Sequence, residues 1–291
     1  MGPPDGGGRP LAALRRGLGS DAGLEPAPGG SLSPVAVFFS AFAVVCLSAF
    51  GAWLWHLKLK NAGVIDLVWG LNLAVAAAMD AWLSPGWGPR RWAIAGMVGL
   101  SGLRLSYHLG RRVLGHPEEG RYVALRQAWG AHIELKFLGF FLFQGLLVGL
   151  LSLPYLLSCQ NPDPGFHPLE ALGLGLFALG MAGESLADAQ LKAFKAAAAN
   201  RGRTCRAGLW NYSRHPNYFF EWLMWLSYFL YACASPWGWA TVYAPALMLH
   251  FLLNVTGVKA TEEQCLRSRG EDYARYQREV SMFVPLPPSA G

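Results

Sequence analysis

The sequence predicts an all-α, polytopic membrane protein with about seven transmembrane helices, and three observations predict it. Hydrophobic residues make up 53% of the chain and charged residues only 14%, where a soluble domain carries about 25% charged residues. Mean hydropathy is positive, at +0.26. The missing charge is explained by long uncharged stretches, and a stretch of roughly 20 apolar residues is enough to span a bilayer. Backbone groups in hydrocarbon must bond within their own segment, so each such stretch is expected to be a helix.

Taken in order, residues 1–32 come first, rich in Gly and Pro and poor in apolar residues. This composition predicts a disordered tail. No apolar core directly follows its arginines, so it is not read as a signal peptide, and targeting is expected to rest on the first span. Residues 33–286 form the predicted transmembrane domain, and 287–291 a short C-terminal tail. The spans are expected at 33–57, 62–83, 91–109, 134–157, 167–188, 216–234 and 236–257. The third and sixth carry Arg104 and Glu221 internally.

Loop charge sets the expected orientation. The 110–133 loop carries Arg111, Arg112, Arg121 and Arg126; the 189–215 loop carries Lys192, Lys195, Arg201, Arg203, Arg206 and Arg214; the segment after the last span carries Lys259, Arg267, Arg269, Arg275 and Arg278. Positive residues mark the cytoplasmic side, which makes the C-terminus cytoplasmic and puts the N-terminal tail on the far side. Arg90, Arg91 and the tail arginines run against this assignment. The net charge of +6 is accounted for by juxtamembrane residues near anionic lipid, and no nucleic-acid partner is expected. Cys46, Cys159, Cys205, Cys233 and Cys265 show no pairing pattern and are read as reduced thiols. No metal-ligand spacing occurs, and neither a GxGxxG turn nor a phosphate loop is present. The Asn211 and Asn254 sequons are read as chance matches. The run GLGLFALGMAG, residues 173–183, has small residues spaced for close helix packing.

Charged and polar groups at membrane depth mark function by default. The densest cluster is CRAGLWNYSRHPNYFFEW, residues 205–222. Pro216 suits a first helical turn, which places Asn217 and Glu221 four residues apart on one face. That pair lines a cavity or a cofactor site, and Arg214 and His215 lie at a helix N-terminus where phosphate binds well. A second polar face, Glu184, Asp188, Lys192 and Lys195, follows helical spacing as the fifth span ends. A third cluster joins Asp66 with Arg104, Tyr107, His108 and Arg111. Asp66 and Arg104 are candidates for a buried pair, and Tyr107 or His108 for a proton donor, against the commoner reading of Tyr107 as an interface aromatic.

LWNYSRHPNYFFEW, followed by EEQCLRSRGEDYARYQREVSMFVP, resembles the C-terminal half of the membrane steroid 5α-reductase-like proteins. VIDLVWGLN, GLRLSYHLGRR, GRYVALRQ and FQGLLVGLLSLP resemble the DUF1295 subgroup in particular, so the resemblance runs from about residue 60 to 286. The RHPNY element also resembles sterol C14 and C7 reductases. This implies an NADPH-dependent reductase of a carbon–carbon double bond in a lipid or sterol-like substrate, with a cofactor cavity opening to the cytoplasm among the last four spans. It implies cofactor contacts at Asn217, Glu221, Arg214, His215, Tyr218, Asp188, Lys192, Lys195, Arg206, Tyr273, Tyr276 and Arg278. It also implies catalytic roles among Tyr107, His108, Asp66 and Glu221, although the early-helix correspondence is poor and steroid specificity is not carried over. A eukaryotic chain of this kind is expected in the endoplasmic reticulum and a bacterial one in the inner membrane. Isoprenylcysteine and phospholipid methyltransferases, which use S-adenosylmethionine, share RHPxY, EExxL, a Gly and the two spaced tyrosines, matched here by Glu262, Glu263, Leu266, Gly270, Tyr273 and Tyr276. A non-catalytic membrane scaffold is the third reading.

Overall fold

Ser33 caps the first helix: its side chain accepts from the Ala36 N–H at 3.2 Å, and Pro34 sits where a missing N–H costs nothing. A computed structural model describes residue 2, residues 32–255 and residues 257–289, and all regular structure among them is helical. Apart from Gly2 and Leu32, the tail expected over 1–32 lies outside the described residues, as do residues 290 and 291. The helices are α1 (Pro34–Leu59), α2 (Val64–Leu83), α3 (Gly88–Val113), α4 (Gly120–Trp129), α5 (Ile133–Gln160), α6 (Pro168–Ala196), α7 (Pro216–Ala232), α8 (Tyr243–His250), α9 (Val258–Arg269) and α10 (Glu271–Glu279). A short 3-10 turn precedes α8 and a π-helical turn, Phe251–Val255, follows it.

Among the described residues, five helical runs are long and apolar enough to cross a membrane: α1, α2, α5, α6 and Gly238–Arg269. The other two expected spans are helices outside that set. α7 has 17 residues, and α3 carries Arg90, Arg91, Arg104, Arg111 and Arg112. The burial pattern of α1 is that of a helix between protein and lipid. Val37, Ala41, Val45, Ala49, Ala52 and His56 are buried along one stripe, while Phe39, Leu47, Phe50 and Leu54 are exposed and equally apolar. Burial in water would have sorted these faces by polarity; in lipid it sorts them by packing.

Two close helix pairs organise the interior. On α6, an added Cβ at Gly173 would lie 2.9 Å from the Ser227 carbonyl, at Gly180 2.7 Å from Met224 Cγ, and at Gly183 2.4 Å from the Phe220 ring. Only glycine lets α7 approach this closely. Gly175 in the same run faces open space and takes no part. On α2 and α3, Gly70 and Gly102 meet backbone to backbone, and Ser106 donates to the Leu67 carbonyl at 2.9 Å. A shared core of Leu73, Ile94, Val98, Leu151, Tyr155, Met224, Trp225 and Tyr228 joins α2, α3, α5 and α7.

Arg90 resolves one conflict in the loop charges. It is 2% exposed and ion-paired to Glu170, which is fully buried. It also donates to the carbonyls of Asn161, Asp163 and Gly165. This arginine fixes the start of α3 to the α5–α6 connection rather than reporting on a water-facing loop.

The segment expected as a loop over 110–133 contains helix α4. Its single buried side chain is Tyr122, so no apolar periodicity announces it. The segment after the last span, expected only as a basic tail, forms α9 and α10. Within the expected C-terminal tail, the Ser289 N–H donates to the Glu279 carbonyl at 2.9 Å.

Candidate functional site

The site is built on the first four turns of α7. Asn217, Glu221, Met224 and Tyr228 follow steps of four, three and four residues, so they form one stripe of a 3.6-residue helix. Met224 lies against Gly180 of α6. The Tyr228 hydroxyl lies 2.7 Å from the Ser101 hydroxyl of α3. Glu221 lies within electrostatic reach of Glu184, Arg104 and Asp188, and Tyr228 within reach of Glu184 and Glu221.

Arg104 is the hub. It reaches from α3 to two successive turns of α6, with Nη1 2.5 Å from Glu184 Oε1 and Nη2 2.5 Å from Asp188 Oδ2. The pair is possible because the glycine contacts draw α6 onto α7 and turn Glu184 inward. The side chains of Asn217 and Glu221 make no hydrogen bond to any other described residue. Three carboxylates and one guanidinium thus gather near a phenol, with Asn217 one turn before Glu221 on the same stripe.

The Asp66–Arg104 pair considered from the sequence does not form. Asp66 instead accepts from the Tyr122 hydroxyl at 2.9 Å and pairs with Arg121. Both partners come from α4, the helix that loop composition concealed, and Arg104 lies on the other side of α3, committed to α6. Burial raises the Tyr122 phenol well above its ordinary value, so it acts as a neutral donor to Asp66. Tyr218 lies within electrostatic reach of Arg112 and Arg121, so α4 borders the same space from the opposite side. The structure leaves Tyr107 and His108 outside this cluster. Tyr107 is 67% exposed on the outer face of α3, and His108 is exposed as well.

Arg214 and His215 were expected to meet phosphate. Arg214 Nε donates to Glu262 at 2.6 Å, and its Nη1 donates to the carbonyls of Gln277 and Val280 at 2.7 and 2.8 Å. His215 donates to the same Glu262 oxygen at 3.3 Å and stacks on Tyr218, with centroids 5.5 Å apart. Tyr218 in turn lies 3.5 Å from the Thr261 hydroxyl. Arg206 pairs with Glu279 and lies over the Tyr276 ring at 5.1 Å. Tyr276 donates to the carbonyls of Trp210 and Ser213. Tyr273, also buried, packs against it at 5.7 Å. Burial pushes both phenols up, so they are neutral. Arg278 pairs with Glu271 at the surface. These expected contacts therefore join the 205–215 segment to α9 and α10 and close the site from the polar side. Lys192 and Lys195 remain exposed at the end of α6 and make no ion pair with any described residue.

Sequence reasoning missed Ser101, Tyr228 and Arg121. Tyr228 was within reach of it, since it lies seven residues beyond Glu221, two turns along the same face. Arg121 gave no signal, because its value depends on where α4 docks. No group of three or more metal-ligating residues occurs among the described residues.

Residues 52–280 match the family model described as "Protein of unknown function (DUF1295)". No curated protein matches, and no solved structure does.

Proposed function

The chain belongs to the DUF1295 family, and from that premise we propose that it is a membrane-bound, NADPH-dependent reductase of a conjugated carbon–carbon double bond in a lipid or sterol-like substrate. One observation carries the reading. Among the described residues the side chains of Asn217 and Glu221 have no hydrogen-bond partner, whereas the charged groups around them, Arg104, Asp66, Arg121 and Arg214, are all paired. A half-buried polar pair that no side chain completes is open to a ligand that would complete it.

The residue types fit a nicotinamide. An amide side chain and a carboxyl group together offer the donor and acceptor that a carboxamide needs. Lys192 and Lys195, exposed and without an ion pair among the described residues, are cations available for phosphates. When bound, the cofactor supplies a hydride. The chain's own residues orient it, exclude water and handle the proton. Glu184 and Asp188 fix Arg104, and Arg104 supplies positive charge beside Glu221. The Tyr228 hydroxyl, held by Ser101, is the proton donor of this reading, in place of Tyr107 or His108. The substrate enters from the bilayer, and the basic rim, with the C-terminus, faces the cytoplasm. The crossing count in this reading is about seven, with α3 and α7 crossing inside the bundle, where their charges meet protein rather than lipid.

A second reading has its own observation. Glu184, Asp188 and Glu221 outnumber the one arginine among them, and an excess of carboxylate suits the sulfonium of S-adenosylmethionine in a methyltransferase.

Thermal stabilisation of the purified protein by NADPH, NADH and S-adenosylmethionine separates these readings, since a ligand that binds only the folded state raises Tm. A rise with NADPH that Glu221→Ala abolishes, while the unliganded Tm is kept, supports the reductase. A rise with S-adenosylmethionine alone replaces it with the methyltransferase, and no rise with any of the three in folded protein favours a scaffold.

A further inference from the structure

The outer face of α2 and α3 carries a second feature that the reductase reading does not use. Gly102, Ser106 and Gly110 of α3 recur every four residues, and an added Cβ at Gly110 would lie 3.2 Å from Leu67. Because this stripe is small, α2 packs tightly along it, and the larger side chains on either side stand out as the walls of a groove. The groove has a volume of about 640 Å³. Leu67, Leu71 and Leu103 form its long apolar part, and Tyr107, Arg111 and His116 close one end. Leu103 is 55% exposed, so the groove opens outward to whatever surrounds the helices.

Arg111 is unlike its neighbours. Arg104, Arg112, Arg121 and Arg126 are each held by a carboxylate. Arg111 has no ion pair with any described residue. Among the described residues its side chain is partnered by Tyr107, whose hydroxyl accepts from Nη1 at 3.4 Å and whose ring lies 5.9 Å beneath the guanidinium. The tyrosine orients the guanidinium but does not neutralise it. At His116, Nδ1 donates to the Leu114 carbonyl at 3.1 Å, which leaves Nε2 free. A cationic end joined to a leucine-lined channel complements an amphiphile with an anionic head and an apolar tail.

We propose that this groove is a binding site for an acidic glycerophospholipid of the surrounding bilayer. The phosphate pairs with Arg111, the rest of the headgroup lies between Tyr107 and His116, and one acyl chain follows Leu67, Leu71 and Leu103. The bland alternative is that Arg111 only reaches to the membrane surface along its own stem. In that case charge alone matters, and the lipid's position on the protein does not. The proposal is independent of the cofactor and of the reductase reading, because none of the residues lining the groove is Arg104, Glu184, Asp188, Asn217, Glu221 or Tyr228.

Native mass spectrometry of the full chain, purified in neutral detergent and titrated with dioleoyl-phosphatidylglycerol or dioleoyl-phosphatidylcholine, tests it. The expected result is one phosphatidylglycerol held preferentially over phosphatidylcholine. Arg111→Gln should weaken it about fivefold, the loss of roughly one basic contact at a membrane surface. Leu71→Trp, which fills the apolar part and leaves all charge in place, should weaken it as well. Arg275→Gln, at an exposed site on α10, should leave binding unchanged. Equal retention of the two lipids overturns the proposal. So does equal weakening by Arg111→Gln and Arg275→Gln, or retention unchanged by both groove variants. A circular dichroism spectrum and an unliganded Tm for each variant show that any loss is not unfolding.

Discussion

At the scale of the residue, the most consequential side chain is Arg104. It is 23% exposed and neutralises two acidic turns of α6 beside a third carboxylate. Removing one partner from a buried ionic group costs about 3 kcal/mol or more, because the remaining charges stay desolvated. Arg104→Met is therefore expected to lower the unliganded Tm sharply, read by a thermal melt in detergent. Adding Glu184→Gln to that variant should recover part of the loss, since it removes one of the stranded charges. A double variant no more stable than the single one would mean that Arg104 acts through its packing alone. Asn217 and Glu221 were legible in the sequence, because a four-residue step after a proline needs no knowledge of neighbours. The partner of Arg104 was not, since Asp66, Glu184 and Asp188 are all acidic groups on helices of similar depth. Which of them it meets is decided by tertiary packing.

At the scale of the element, hydropathy located every long helix. It missed α4, where GRYVALRQAW mixes charge and apolar groups without a stripe and buries Tyr122 alone. Such a helix is held by its docking, through Tyr122 and Arg121 to Asp66 and through Arg126 to Glu118 and Glu134. The glycine run of α6 was legible as a packing surface, and the structure shows which members act. Gly183→Leu should force the Phe220 ring away and separate α6 from α7. Overpacking of this kind costs about 1–3 kcal/mol, and the loss of Tm should come with loss of ligand-induced stabilisation, because Glu184 and Glu221 would part. Gly175→Leu, at a position with open space beside it, should do neither. Similar melts for the two variants would show that the close α6–α7 contact does not position the site.

At the scale of the whole molecule, the chain is closed by contacts between distant parts of the sequence. Arg214 binds Glu262 and two carbonyls of the C-terminal segment, its own N–H donates to the Ser281 carbonyl at 2.9 Å, and Ser213 donates to the Phe283 carbonyl at 2.8 Å. Arg214→Gln should leave helix content intact and weaken stabilisation by the site's ligand, because the cap over α7 is loosened while the helices below keep their packing. Far-ultraviolet circular dichroism and the ligand-dependent Tm read the two effects separately. An unchanged ligand response would make this junction purely structural. The junction also has a consequence for biosynthesis. Chains are made from the N-terminus and tend to fold in that order, so every apolar helix is available to enter the membrane before residues 276–283 exist. The polar cluster on α7 is thus laid down well before its cover. Until the cover arrives, an inserted, helical nascent chain presents Ser213 and Arg214 without these partners, which makes this interval of translation the one in which quality-control factors would find the protein incomplete.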